Sequence, residues 1–514
     1  MTEHSGKTES AWMEARSVLP VPTQLDRDIE TGICVVGAGI SGLTTAYELA
    51  RRGHQVVVID DGPLISGETE RTTAHLSNAL DDRYFVLERL HGEDAAQLAA
   101  ESHRAAIDYI EAAVHREHIG CDFERLDGFL FAGPEHDKSY LDHELEAAHR
   151  AGLEHVEMVS QAPIRDFDTG PALRFPRQGQ FHPVKYLHGL IKTMAARGAS
   201  LFCHTHVSEI HDGTPCVVRT ATGRTIRADA VVVATNTPVN DRVIMHTKQA
   251  PYRTYVISAK VPRGSVARAL FWDTSDPYHY VRLKCGIDED LLIVGGEDHK
   301  TGHDDHPEHR WQALMEWTRR HFPMAGEVAY RWSGQVMEPV DGLAFIGRNP
   351  GERHVYIVTG DSGQGMTHGT IAGMLLSDLI TGKDHPWKEL YDPSRRTLRA
   401  AGEFARENLD VAGQYREWVT AGTVKSAADV LPGCGAVLRH GVRKVAIYRG
   451  EDGSVHECSA TCPHMGCIVH WNDSEKTWDC PCHGSRFDRF GSVLNGPAIR
   501  DLEPIGQPHL AAKT

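Results

Sequence analysis

No stretch of the 514 residues approaches the 18 consecutive apolar side chains that a membrane-crossing helix needs. The opening residues, MTEHSGKTESAW, lack the apolar core of a secretory signal. Both absences point to a cytoplasmic chain. Positive charge is in deficit: 54 Lys and Arg stand against 70 Asp and Glu, for a net charge of −16. Nucleic acid and anionic membrane surfaces recruit clustered positive charge, so neither is expected as the main partner. There are no internal repeats and no low-complexity tract. Cysteine usage does not suit a disulfide framework: there are 11, an odd number in a long chain. Six (Cys34, Cys121, Cys203, Cys216, Cys285, Cys434) are scattered and read as small buried hydrophobes. The other five crowd between 458 and 482 and mark a local site.

What remains is an ordinary globular composition, 41% hydrophobic and 24% charged, at a length that suits roughly two to four domains. Residues 1–28 form a polar leader expected to lie across the surface. Residues 33–36 read as a strand, 41–52 as a helix and 55–59 as a second strand. Helices are expected at 88–118, 135–152, 308–321 and 367–381. Tyr, Val and Ile with intervening turn signals predict antiparallel strands across 251–300. From 426 onward the texture changes to short strands and Gly/Pro turns.

The segment ICVVGAGISGL sets Gly37, Gly39 and Gly42 in a G-x-G-x-x-G pattern, with Ile40 and Ser41 opening the helix. Glycine serves the tight turn, the approach of backbone to a pyrophosphate and the packing of helix on strand. The helix start then offers free N–H groups and a positive dipole end. Asp60 ends the next strand, where a carboxylate can hold ribose hydroxyls. The pattern alone does not separate FAD from NAD. No second dinucleotide fingerprint is visible, which argues against a self-contained NAD(P)H reductase.

Two further segments decide for FAD: GETERTTAH at 67–75, with Arg71, Thr72 and Thr73, and VYIVTGDSGQGMTHG at 355–369. Together with the N-terminal unit they resemble the D-amino-acid oxidase and glycine oxidase superfamily of FAD enzymes, over roughly residues 30–400. The resemblance implies that Gly360, Asp361, Gly363, Gln364, Gly365, Met366 and Thr367 meet the flavin at a helix N-terminus. It also implies that Ala234 ends a strand closing the FAD site and that Val207 meets the adenine through its backbone. The substrate pocket is expected from the strand-rich insert. Its candidates are Tyr255, His279, Tyr280, Arg282, Glu297, Asp298 and His299, with His368 beside the flavin loop. Arg282 could clamp a carboxylate, and His279 or His299 could act as base. Mutual structural satisfaction is the competing account of each.

The second constellation is CPHMGC at 462–467 and CPCHGS at 480–485, a C-x-H-x15-C-x2-H spacing. These boxes, with NGPA at 495–498, resemble the Rieske family. A zinc site is the main competitor, but zinc requires neither the P-C-H-G-S run nor the downstream NGPA. The resemblance implies a [2Fe–2S] cluster with Cys462 and Cys480 on one iron. His464 and His483 hold the other, the more solvent-exposed iron in that family. Histidine in place of thiolate raises the potential to about −150 to +300 mV. In the subclass from respiratory cytochrome bc complexes a disulfide joins the pair equivalent to Cys467 and Cys482, and Ser485 matches a donor to a cluster sulfur. The cluster lies too near the C-terminus for a usual Rieske oxygenase.

The whole resembles bacterial FAD-dependent oxidoreductases with a C-terminal Rieske domain. The expected fold is an α/β FAD-binding domain (Rossmann-like, glutathione-reductase-type) with an α+β substrate domain and a C-terminal all-β Rieske domain. The expected division is leader 1–28, FAD-dependent region 29–400, linker 401–425 and Rieske domain 426–508. Within the FAD-dependent region, FAD-binding parts fall at about 30–85, 180–250 and 330–382, and substrate-domain parts at about 86–180 and 251–330. The implied activity is oxidation of a C–N bond of an amine or amino acid. Electrons then pass singly from FAD through the cluster to an external protein or quinone. Reverse flow, for a reductive or oxygenating reaction, and a non-enzymatic relay are the alternatives.

Overall fold

The computed structural model describes residues 5–18, 22–240, 245–304 and 306–505. Three strands whose buried parts are apolar (ICVV at 33–36, VVVI at 56–59 and AVVV at 230–233) make the centre of the first sheet. Ile29–Val36 pairs in parallel with Val56–Ile59 on one side and with Thr225–Val233 on the other. Such runs suit strands covered on both faces. Val355–Thr359 and Ser200–Phe202 extend the parallel array outward, and antiparallel Phe345–Arg348 closes one edge. The ribbon Val207–His211 with Cys216–Thr220 pairs onto Thr225–Val233.

Two helices decide where a ligand can sit on this sheet. Ile40–Arg51 and Gly365–Ile380 both start without a side-chain cap. They pack closely because Gly369 and Gly373 face Ile40, Ser41 and Thr44; a Cβ on Gly369 would stand 2.7 Å from Ile40 Cγ2. Both positive helix ends are thereby brought to one place.

The second sheet has nine strands. Val328–Pro339, Gln249–Pro262, Glu289–Lys300, His279–Lys284, Leu270–Asp273, Glu124–Phe131, Ala172–Gln180 and His75–Leu76 lie side by side, with Glu157–Val159 on Ala172–Gln180. Val328–Pro339 therefore belongs to the substrate-side sheet until residue 339, although its sequence leads into the late FAD loop. One face of this sheet carries the helix Glu308–His321, whose Trp311 meets Tyr255 and whose Trp317 stacks on His279. The other face looks toward the first sheet.

The C-terminal part is all β. Gly435–His440, Arg443–Arg449 and Val455–Ser459 form one antiparallel sheet, and His470–Asn472, Thr477–Asp479, Arg486–Asp488 and Val493–Asn495 the other. The helix Ala401–Gln414 and the turn after it brace this domain rather than dangle. Lys300 pairs with Glu407 and Asp410, while Tyr415 and Trp418 donate to the carbonyls of Met465 and Gly466. Among the described residues no helix is long and apolar enough to cross a membrane.

Part of the leader departs from expectation, while residues 22–28 are mostly exposed and 1–4 and 19–21 lie outside the described residues. Ser5, Ser10, Ala11 and Trp12 are buried, and Trp12 donates to the Thr72 carbonyl at 2.7 Å. Lys7 N–H bonds the Glu475 carbonyl at 3.1 Å, so the segment is wedged between the FAD loop and the C-terminal domain. Its polar composition was misleading because its polar groups are consumed by interdomain bonds instead of water.

Candidate functional site: a dinucleotide cavity sharing a wall with a Cys/His centre

A large cavity opens between the two sheets, and the glycine loop forms one end. Gly37, Gly39, Ile40 and Ser41 line it, with Asp60 and Val207 beyond and Ala234 opposite. Glycine is demanded by contact: a Cβ on Gly37 would lie 2.3 Å from the Ala234 carbonyl oxygen, at a φ of +105°. Asp60 accepts N–H bonds from Ala38 at 2.6 Å and Gly62 at 2.8 Å. Burial, with Asp61 beside it, pushes Asp60 up to about 8. The pattern fits a dinucleotide: a helix start without an N-cap side chain, where Thr69 takes the Ile40 N–H at 3.1 Å, for phosphate, and a carboxyl beyond for ribose.

At the other end the cavity is lined by Arg71, Thr72 and Thr73, and by Asp361, Gly363, Gln364, Gly365 and Met366. Three expected contacts fall outside it. Gly42, on the strand-facing side of the helix Ile40–Arg51, is pressed on the Gly37 carbonyl; Gly360 sits against Pro339; and the Thr367 hydroxyl bonds His103 and the Gln364 carbonyl. The Arg71 guanidinium is also taken, by Gly6, Thr8, the Ser333 carbonyl and Glu475.

The candidate catalytic residues divide by face. Tyr280 lines the cavity, bonded to Thr254 at 2.6 Å, and Asp298 lines it nearby. His279 points the other way. Burial opposes its charge, but a hydrogen bond to Asp273 and the nearby Glu297 carboxylate prevail and raise it to about 9, so it is a fixed cation and not a base. His299 bonds Tyr255 on that same far face, and burial pulls it down to about 4. His368 bonds the Asp361 carbonyl behind the loop and is likewise lowered by burial to about 4. Strand alternation explains the split: adjacent residues point to opposite faces.

Arg282 is no carboxylate clamp. Its Nη1 reaches the carbonyls of Thr73, Ala74 and Phe181 at 2.8–3.1 Å, and its guanidinium lies 5.2 Å from the Trp12 ring centre. Burial lowers it to about 9, which leaves it charged at neutral pH. Its work is to hold the 73–74 turn beside the cavity. Arg282→Met would strand three buried carbonyls, and a loss of about 2–4 kcal/mol is expected. Thermal unfolding of holoprotein checks this; an unchanged melting temperature would refute the role.

The second centre forms on two loops. One connects Val455–Ser459 to His470–Asn472, and the other connects Thr477–Asp479 to Arg486–Asp488. Cys467 and Cys482 are joined as a disulfide across them, Cα to Cα 6.4 Å. Three sulfurs, of Cys467, Cys480 and Cys482, cluster within 4.8 Å, but the disulfide removes two of them as metal donors. Cys462 and Cys480 hydrogen-bond each other, which lowers the first thiol and raises the second. The His464 and His483 rings stand 5.0 Å apart, and His483 Nδ1 is buried without a hydrogen-bond partner. Two thiols beside two imidazoles, one nitrogen left open, fit a Rieske donor set. Ser485 is fully buried and lies against Cys462.

The imidazole edge is not free. His483 is 5% exposed, and His246, at the edge of the FAD region, places its ring 4.9 Å from His464 and 6.0 Å from His483. Gln335, which lines the cavity, donates to the Gly484 carbonyl at 3.0 Å. Five residues of 493–498 line the cavity from the C-terminal domain. A buried ionic chain locks the halves: Arg71 to Glu475 at 3.3 Å, Arg253 to Asp479 at 3.8 Å, Arg486 to Asp479 at 3.2 Å and to Glu68 at 3.7 Å. Arg71 was read only as part of the FAD loop, and Glu68, Arg253, Glu475, Asp479 and Arg486 escaped the sequence reading. Their only trace was charge inside otherwise strand-like segments.

Residues 32–379 match the family model described as FAD dependent oxidoreductase. The chain belongs to this family. Residues 420–506 match the Rieske [2Fe-2S] domain, so both cofactors, FAD and a [2Fe–2S] cluster, are those of an FAD-dependent oxidoreductase with a Rieske domain. A Bacillus subtilis (strain 168) protein, the Rieske 2Fe-2S iron-sulfur protein YhfW, is 31% identical over 97% of each chain. The γ-glutamylputrescine oxidoreductase of Escherichia coli (strain K12) is 28% identical, covering 78% of this chain and 96% of that one. Among solved structures, glycine oxidase from Geobacillus kaustophilus superposes with a TM-score of 0.62 at 20% identity, over 72% of this chain and 99% of the other. That likeness shows the shared fold.

Proposed function

We propose that this oxidoreductase works in the cytoplasm as a dehydrogenase of amines or amino acids, passing the electrons singly from FAD through the cluster to an external protein or quinone. The observation that carries the reading is the shared wall, in which Gln335 borders the cavity and bonds the residue next to His483. When bound, FAD supplies two-electron oxidation and the cluster one-electron carriage. The chain's own groups do the rest. Amides at the start of Ile40–Arg51 would receive the pyrophosphate, and those of Gly363–Met366 would favour negative charge on the flavin edge. Tyr280 and Thr254 would orient the substrate, and Asp298 can take a proton. The ionic chain holds the domains in one arrangement, which suits transfer inside the molecule. One relative is named for γ-glutamylputrescine and a fold neighbour for glycine, so nitrogen compounds are the first to try.

Anaerobic titration of holoprotein with a panel of amines and amino acids tests the order. The flavin band should bleach first and the cluster signal should follow. Cys480→Ser should keep flavin bleaching and lose reduction of an added one-electron acceptor. Failure of every amine and amino acid, with bleaching by reduced ferredoxin, would reverse the direction.

A further inference from the structure

We propose that the substrate chamber selects an amine that carries a second ammonium group and no carboxylate, an alkyl diamine in chemical class. This rests on the C–N oxidation reading and narrows it. An amino-acid site needs a cation for the substrate carboxylate, best an arginine fork. Among the described residues the arginines near the chamber are all committed elsewhere. Arg282 holds three backbone carbonyls; Arg83 bonds the Leu80 and Asp273 carbonyls; Arg310 bonds Asp304 and the Glu297 carbonyl. His75, which lines the chamber, is pulled down to about 3 by burial and Arg282, so it supplies no charge either.

What faces the chamber is acidic and aromatic. Asp81 and Asp298 line it together with Tyr278, Tyr280 and Trp272. Asp298 Oδ1 is buried and has no hydrogen-bond partner, while the Thr254 side chain bonds the same carboxyl. Asp81 receives only long bonds, from Tyr278 and Gln364, each 3.3 Å. Burial raises both carboxyls, Asp298 to about 7; the Asp81 charge adds to the cost at Asp298, while Arg83 acts to lower Asp81, and His279 and Arg310 to lower Asp298, without offsetting burial. Two incompletely bonded buried acids, one of which raises the other, are what an ammonium group would relieve. The tyrosine rings, 5.4 Å apart, add faces on which a cation is attracted. The reacting nitrogen must be neutral when it gives up electrons. A second ammonium is therefore needed to keep a cation against these acids. A substrate carboxylate would meet like charge without a counter-ion.

The test uses holoprotein and two probes that differ only in a carboxylate: lysine and its decarboxylated form, cadaverine. Pentylamine lacks the second ammonium. Binding is read from perturbation of the flavin spectrum and turnover from anaerobic bleaching. Cadaverine should bind roughly tenfold or more tighter than lysine or pentylamine. Asp298→Asn and Asp81→Asn, each checked for FAD content, should weaken cadaverine roughly tenfold and narrow its lead over pentylamine. If lysine matches cadaverine, or neither variant with FAD bound weakens it, the inference falls. If amino acids alone bleach the flavin, the inference falls and the C–N reading stands. If no amine or amino acid does so, both fall.

Discussion

Glu475→Gln is expected to cost about 3–5 kcal/mol and to loosen the grip of the Rieske domain on the FAD region. Glu475 is fully buried and sits among Arg71, Arg253 and Arg486, with Thr8 and Ser333 also donating to it. Taking these ions out of water is costly, and only their mutual pairing offsets it. Removing the one carboxylate shared by Arg71 and Arg253 leaves buried guanidinium charge uncompensated, the situation in which breaking a buried pair costs most. Burial would raise the Glu475 pKa, but the arginines hold it at about 2, below the ordinary 4.5. A depressed folded-state value means that the stabilisation, about 3 kcal/mol, is complete above pH 4.5. It is lost as pH falls toward 2. Thermal melts of wild type and variant from neutral to acid pH read both effects. The two should differ widely at neutral pH and converge in acid. Rapid mixing should also show cluster reduction lagging further behind flavin bleaching in the variant. Parallel melting curves with no offset would rule out the ionic lock.

Gly42→Ala should strip FAD from the protein. The added Cβ would lie 2.0 Å from the Gly37 carbonyl oxygen and 3.2 Å from Val35 Cγ1. The first contact is backbone on both sides, so no rotamer change can relieve it. The helix Ile40–Arg51 must lift from the strand Ile29–Val36, taking its first amides away from the glycine turn. Overpacking of this kind costs about 1–3 kcal/mol or more, and the phosphate site moves as well. Purified variant should carry roughly a tenth or less of the wild-type FAD, measured as flavin per chain, because the helix-start amides are a main phosphate contact. Gly402→Ala is the control, since its Cβ would meet nothing within 4 Å and the residue is helical. It should retain FAD. Equal FAD content in Gly42→Ala would mean that the loop is not the cofactor cradle.

Much of the cofactor chemistry was legible because its determinants are close in sequence. The glycine loop spans Gly37 to Gly42, and the four Rieske candidates lie within Cys462 to His483. The order of strand, turn and helix then places such residues together whatever the rest of the chain does. The antiparallel texture of 251–300 and the helix at Glu308–His321 were legible for the same local reason. The catalytic candidates were not. His279 and Tyr280 are neighbours, yet one stacks on Trp317 and the other borders the cavity. Asp298 and His299 divide in the same way, Asp298 to the cavity and His299 to Tyr255. Alternation said that each pair must split, but which face looked toward the first sheet depends on how the two sheets pack.

By itself, then, the sequence determined that this chain carries a dinucleotide loop and a Cys/His pair of boxes, since both are built from short-range backbone geometry. Only the tertiary structure decided how they meet. It turned the His483 edge inward against His246 and set Gln335 between cavity and cluster. It buried the N-terminal segment at the junction, and it gave Arg282 to backbone carbonyls, leaving Asp81 and Asp298 to line the cavity. Those outcomes rest on contacts between residues hundreds of positions apart. Burial and charge pairing at such contacts are properties of the packed molecule, with no local pattern to announce them.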